Sequence, residues 1–289
     1  MRLLAAGSIA LDTLEGPFGA VTGELGGSAL YFALAASLIR PVEIAAPVGP
    51  DAWDAVRAVL AGRPVDVSRV SLLDVPTYRW SAVHQKGSNV DRGSVDGIYD
   101  RWQPDLPSGY DGWAFVGSMR PDRQLAVADA LRASAHLLAA DSMRSYLTSH
   151  QALAEQVLRG AGWFFANREE LLALGGDPDD PGRFRARHGL AGLVIKLGEH
   201  GCSAWTTAGA IRFPALAGYP VVDVTGAGDA LAGGLLAGWL EAGGGPETLR
   251  GALAQGVACA SLAISAVGLR GLAEATPADL AERVAEVLG

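Results

Sequence analysis

Along the chain, short apolar runs alternate with longer segments in which apolar residues recur at helical spacing. The runs at 2–9, 42–48, 113–117, 136–140, 162–166, 192–197 and 220–224 predict strands. The segments 28–39, 51–61, 121–134, 146–159, 168–174, 229–242, 246–266 and 277–288 predict helices. Several runs, such as WAFV at 113–116, are apolar at every position instead of alternating. A strand of that kind belongs in a sheet covered on both faces, and the regular strand–helix alternation makes the fold α/β: a doubly wound, mostly parallel sheet with helices on both faces. Residues 74–106 depart from the pattern, being polar and glycine-rich. Within them TYRWSAVH (77–84) alternates Tyr78, Trp80, Ala82 and His84 against Arg79, Ser81 and Val83. Period-two alternation predicts antiparallel strands with one exposed face, as a small β lid, a dimer contact or a surface flap. The aromatic residues on one face favour lid or interface.

Composition narrows the picture. The chain has 289 residues, 49% of them hydrophobic and 19% charged, which suits one large domain over 1–289. A lid would be inserted at roughly 12–25 and 74–106. The net charge of -8 and the absence of a basic stripe argue against nucleic acid as a partner. Cys202 and Cys259 lie far apart, which fits two free thiols in a reducing compartment, and the histidines show no zinc-ligand spacing. MRLLAAGSIAL at the start reads as a buried first strand and not as a signal peptide. Residues 251–269 carry no charge but are mostly Ala, Gly and Ser around Gln255, so a buried helix is expected, not a membrane span. The expectation is a cytoplasmic protein without membrane association.

Chemistry is expected where strands end, because ligands of open α/β sheets bind beyond the carboxyl edge. Asp12, Asp141, Asn167, Lys196 and the turn Gly226-Ala227-Gly228-Asp229 all stand at such ends. Taken singly, Asp141 and Asn167 read as helix caps. The turn at 226–229 is more specific. Its glycines let consecutive amides point at one spot, and the following helix adds the positive end of its dipole, which makes an anion hole. Asp229 in that hole is placed to take a proton from a hydroxyl while the amides stabilise a transferring phosphoryl group; the plain alternative is a turn and a cap. The chain has no G-x-x-x-x-G-K-[ST] loop, no protein-kinase motif set and no G-x-G-x-x-G after its first strand.

DVTGAGDALAGG (223–234) resembles the C-terminal signature of the ribokinase-like (PfkB) carbohydrate kinase family. AGSIALD (6–12), GGSALYFALAA (26–36), the stretch 47–70, NREE (167–170) and KLGEHG (196–201) resemble further family segments, in family order over almost the whole chain. The resemblance implies Asp229 as catalytic base and Gly226, Ala227 and Gly228 as the anion hole. It implies substrate hydroxyls at Asp12, Gly26 and Gly27, and nucleotide contacts at Asn167, Lys196, Gly198 and Gly201. Glu170 would act on Mg²⁺ through water, and Asp223, Thr225, Ala263, Ala266 and Gly268 would border a monovalent cation such as K⁺. Where many family members carry Asn, this chain has Tyr31, and Lys196 stands where Thr is common. Trp80 on the lid would cover the substrate, and family lids often double as homodimer interfaces. The function implied is ATP-dependent phosphorylation of a sugar or cyclitol hydroxyl, with a nucleoside as the alternative acceptor. A ligand-binding or regulatory protein without activity is the reading from another class; the intact Asp229 and glycines weigh against it.

Overall fold

The computed structural model describes residues 1–85 and 88–289. In chain order the strands are β1 (Arg2–Ala6), β2 (Ala10–Gly16), β3 (Gly19–Gly26), β4 (Val42–Val48), β5 (Val65–Leu72), β6 (Tyr78–Gln85), β7 (Ser88–Val95), β8 (Gly112–Val116), β9 (Leu137–Ala140), β10 (Trp163–Asn167), β11 (Gly192–Lys196), β12 (Cys202–Thr206) and β13 (Gly209–Phe213). A nine-stranded sheet runs β13-β12-β11-β10-β9-β8-β1-β4-β5. It is parallel from β5 to β11 and antiparallel at β12 and β13.

The continuous apolar runs serve two cores. Leu3, Ala5, Phe115, Phe165 and Val194 face one, and their neighbours Leu4, Ala6, Val116, Phe164 and Ile195 face the other. The first core is closed by the helices Ser28–Ala36, Ala227–Glu241 and Leu249–Ala263. Their small residues let the backbones approach: a side chain on Gly234 would come within 2.8 Å of the Gln255 carbonyl. That contact explains the uncharged stretch after Gly251, which is a buried helix. Among the described residues no helix is long and apolar enough to cross a membrane. Cys202 and Cys259 are both free and buried.

A second, four-stranded sheet runs β3-β2-β6-β7. The alternation of 77–84 predicts antiparallel pairing, and β6 does pair β7 in that sense; its other neighbour, β2, is parallel to it. The predicted strand 220–224 does not form. Instead the Val222 and Asp223 amides donate to the Ile264 carbonyl at 2.8 and 3.4 Å, so the segment lies along the end of a helix. The hairpin β12–β13 holds the sheet edge that this strand would need.

Candidate active site

Strand order brings the first group of residues together. β9, β10 and β11 are neighbours, and Asn167 pairs in register with Lys196. Asp141 follows β9 directly. The Lys196 ammonium donates to both Asp141 carboxylate oxygens, at 2.7 and 2.8 Å, and lies 3.7 Å from Glu170 Oε2. Glu170 and Asn167 form a reciprocal cap: the Glu170 amide donates to Asn167 Oδ1 at 2.8 Å, and the Asn167 amide to Glu170 Oε2 at 2.7 Å. The capping role foreseen for Asn167 is therefore present. Asp141 caps nothing comparable, since the next helix starts at Arg144; it is the counter-ion of Lys196.

The loop before the helix Ala227–Glu241 faces this cluster. Gly226 has φ 72°, the left-handed region, and any side chain there would run into the Tyr31 ring. Gly228 is also spoken for: a Cβ would stand 3.0 Å from Lys196 Cδ and 3.2 Å from its Nζ. So the ammonium hangs beside the opening of the amide loop. Ala230 is the residue whose amide bonds back to Gly226, and the Ala227 amide donates to the Val224 carbonyl at 3.3 Å. Of the predicted anion-hole amides that leaves Gly228, and with it Asp229, in a first turn whose amides lack helical partners by geometry. Asp229 sits in this first turn, half-buried.

The electrostatics follow from burial and crowding. Loss of solvent pushes the Asp229 carboxyl up to about 7, Asp141 and Glu170 add to the rise, and Lys196 opposes it. Burial likewise raises Glu170, with Lys196 opposing and Asp141 reinforcing. Burial acts to lower Lys196, but Asp141, Glu170 and Asp229 outweigh it and hold the amine above its ordinary value, hence protonated.

A second group lies under the small sheet. Gly27, with φ 103°, lets the chain turn from β3 into the helix Ser28–Ala36, whose start is tied to β1 by reciprocal 3.0 Å bonds between Ser8 and Ser28. Asp12 on β2 is buried and Tyr31 fully so; Asp12 Oδ1, Tyr31 Oη and Trp80 Nε1 have no hydrogen-bond partner among the described residues. Asp12 and Trp80 are register neighbours on the parallel pair β2–β6. A side chain on Gly26 would collide with the Asp12 carboxylate. Burial drives the Asp12 carboxyl to about 8, and the nearby Asp223 and Glu24 push it in the same direction.

A third group surrounds Asp223. Its Oδ1 accepts from the Thr225 amide (2.9 Å) and hydroxyl (2.7 Å), and its Oδ2 from the Gly268 amide at 3.1 Å. Asn89 of β7 reaches across from the small sheet and donates to Thr225 Oγ1 at 2.8 Å. Ala263 ends the helix Leu249–Ala263 and Ala266 lies in the turn towards Gly268, neither with a side chain that could contact a cation. Gly198 and Gly201 flank the short turn after β11, closed by the Leu197 amide donating to the Gly201 carbonyl at 2.8 Å. They border the Lys196 cluster without entering it. Sequence reasoning missed Glu24 and Asn89, whose positions depend on strand register; it placed Asp141 among the strand-end residues and, taken singly, as a cap, but did not foresee it as the counter-ion of Lys196.

The chain matches the description "pfkB family carbohydrate kinase" over residues 110–276. It is 29% identical over 255 residues to a cytidine kinase of Thermococcus kodakarensis, covering 83% of this chain and 88% of that one. Its fold matches a nucleoside kinase of Burkholderia thailandensis solved with inosine, with TM-score 0.78, 21% identity and coverage of 100% and 98%. It also matches a fructokinase of Vibrio cholerae solved with fructose, ADP and calcium, with TM-score 0.79, 21% identity and 99% coverage of both chains.

Proposed function

The chain belongs to the pfkB family of carbohydrate kinases, phosphotransferases acting on an alcohol group, and from that premise we propose that it is an ATP-dependent kinase of nucleosides. The expectation of a simple sugar or cyclitol gives way to its alternative. The observation that carries the choice is the register pairing of Asp12 with Trp80. It places a carboxyl suited to ribose hydroxyls beside an indole suited to cover a planar base. The likeness over most of its length to a cytidine kinase supports the same choice.

In this reading the acceptor hydroxyl lies beside Asp229, which takes its proton as the bond to phosphorus forms. The amides of Gly228 and Asp229 and the ammonium of Lys196 face the charge that develops on the phosphoryl oxygens, whereas the Ala227 amide is turned to the Val224 carbonyl. Such preorganised donors in a site shielded from water supply most of the catalysis in phosphoryl transfer. Closure of the small sheet over the acceptor keeps water from competing for the phosphoryl group.

Mg²⁺ bound with ATP would neutralise charge on the phosphates. Among the described residues no group of three carboxylate, histidine or cysteine side chains could hold a metal ion. The residues fit Mg²⁺ held by phosphate oxygens and water, with Glu170 and Asp141 reached through that water. A monovalent cation would rest on main-chain carbonyls near Ala263, Ala266 and Gly268, with Asp223 as the fixed charge behind Thr225.

The test is ADP release with Mg²⁺ and K⁺ over cytidine, uridine, inosine, ribose, fructose and myo-inositol. Nucleosides should exceed the free sugars and cyclitol by about 100-fold in kcat/KM. Equal use of ribose or fructose would return the acceptor to the sugars. Binding without turnover of any compound would make the chain a ligand-binding protein.

A further inference from the structure

Asp12 and Glu24 stand directly opposite each other on the antiparallel pair β2–β3. Like charges in that relation repel, so strand pairs are destabilised by them. Here no cation among the described residues relieves the repulsion. Among the described residues neither carboxylate has an ion pair: Arg79 of the same sheet turns to Asp51 at 2.7 Å, and Lys196 to Asp141. The other charge acting on Asp12 is Asp223, also negative. Glu24 leans on Gly268, where a Cβ would collide with its side chain, and is thereby held at the pocket's rim.

A second observation shows that these carboxylates face a ligand. Tyr31 is 1% exposed, yet among the described residues its hydroxyl has no partner, and the indole N–H of Trp80, the register neighbour of Asp12, has none either. The Tyr31 ring edge lies 3.7 Å from the point above Gly26 where the Asp12 carboxylate also converges. Buried donors and acceptors left unmet are costly unless a bound molecule meets them. A neutral polyhydroxyl compound would meet all three: its hydroxyls donate to Asp12 and its lone pairs accept from Tyr31 and Trp80.

We propose that Glu24 is a specificity-determining residue which, with Asp12 and Asp223, restricts the acceptor to uncharged polyhydroxyl molecules and rejects those carrying a phosphate or carboxylate. The inference rests on the reading that this pocket takes the acceptor. At the effective dielectric of a protein site, each carboxylate within about 8 Å of an entering anion weakens its binding by roughly tenfold or more. Glu24 and Asp223 together set a barrier of roughly 100-fold that no hydroxyl meets, and Asp12, raised to about 8, adds to it only where it is ionised.

The experiment compares two matched pairs, D-fructose with D-fructose 6-phosphate and uridine with 5-carboxyuridine, in the wild-type chain and in Glu24→Gln. ADP release with ATP and Mg²⁺ gives kcat/KM for each. The neutral member of a pair should be favoured by about 100-fold in the wild type, and Glu24→Gln should narrow that gap about tenfold. An anionic member used as well as its neutral partner overturns the proposal, and so does a gap that Glu24→Gln leaves unchanged. If none of the four compounds is phosphorylated, fructose and uridine are not acceptors, which bears on the proposed function and not on the charge preference. Calorimetric binding of the same compounds then decides the charge preference: binding confined to neutral members upholds it, and tighter binding of the anionic members overturns it.

Discussion

Replacement of Asp229 by Asn should make the enzyme slower and, above neutral pH, more stable. The carboxyl is raised from 3.8 to about 7 in the folded chain, chiefly by burial and then by Asp141 and Glu170. A group raised on folding holds its proton more tightly in the native state, so the stability it contributes is intact below the unfolded value and is lost as pH rises through the folded one. Across a window from about 4 to 7 the wild type therefore pays for a charge that Asn never carries. A shift of this size corresponds to an upper bound of about 4 kcal/mol. Water reaches the half-buried side chain and Lys196 offsets part of the repulsion, which reduces the expected gain to about 1–3 kcal/mol at pH 8. At pH 4.5 the gain should fall below about 1 kcal/mol. Urea titrations of both proteins between pH 4.5 and 8.5 measure it. Turnover should fall by about 10²–10⁴-fold, as for loss of a positioned base, and wild-type kcat/KM should climb as pH rises through 7. A variant no more stable at pH 8 than at pH 4.5 would refute the argument, because Asp229 would then be a well-paired charge. A loss of turnover below about tenfold, with chemistry rate-limiting, would remove its role as base.

Gly226→Ala should destabilise the fold by about 2–4 kcal/mol, combining left-handed strain with collision against Tyr31; a urea midpoint near that of the wild type would contradict both causes. Lys196→Met should cost about 3–5 kcal/mol by leaving Asp141 and Glu170 without their cation. Adding Asp141→Asn should recover most of that loss in thermal unfolding, and independent, additive effects would show that the pair is not coupled. Glu170→Gln keeps an oxygen for the Asn167 amide, so the cap should survive while half-maximal turnover moves to several-fold higher Mg²⁺. An unchanged Mg²⁺ titration with lowered thermal stability would make Glu170 a capping residue and nothing more.

What the sequence disclosed of this site follows the range of the interactions concerned. Gly226–Asp229 and the Asn167–Glu170 cap are local: turn geometry and helical spacing of three residues determine them, and both can be read from a few consecutive letters. The doubly wound sheet was legible for a related reason, since two-sided burial forces unbroken apolar runs in β1, β8, β10 and β11. The segment 220–224 shows the limit of that signal. Its valines have strand propensity, but propensity says nothing about which carbonyl accepts their amides, and the Ile264 carbonyl at a helix end does so.

The acceptor pocket lies beyond that limit altogether. Asp12 meets Glu24 on one side and Trp80 on the other only in one register of three strands, and the β2–β3 register shifts between Asp12 and Thr13. A slip by one residue would turn these side chains to the opposite face. Without that register Tyr31 is merely a missing asparagine, and a sugar is as good an acceptor as a nucleoside. With it, Tyr31, Trp80 and Asp12 become three unmet polar groups around one space, backed by Glu24 and Asp223. The anion hole of Gly226–Asp229 and the carboxylates of Asp12, Glu24 and Asp223 then form two fields of opposite sign. In the reading proposed above, Asp229, close to Asp141, Glu170 and Lys196, is the carboxylate that takes the acceptor's proton. In that reading such a division of charge would orient a bound pair of substrates before any chemistry occurs, with the phosphates on the Lys196 side and the neutral hydroxyls on the Asp12 side.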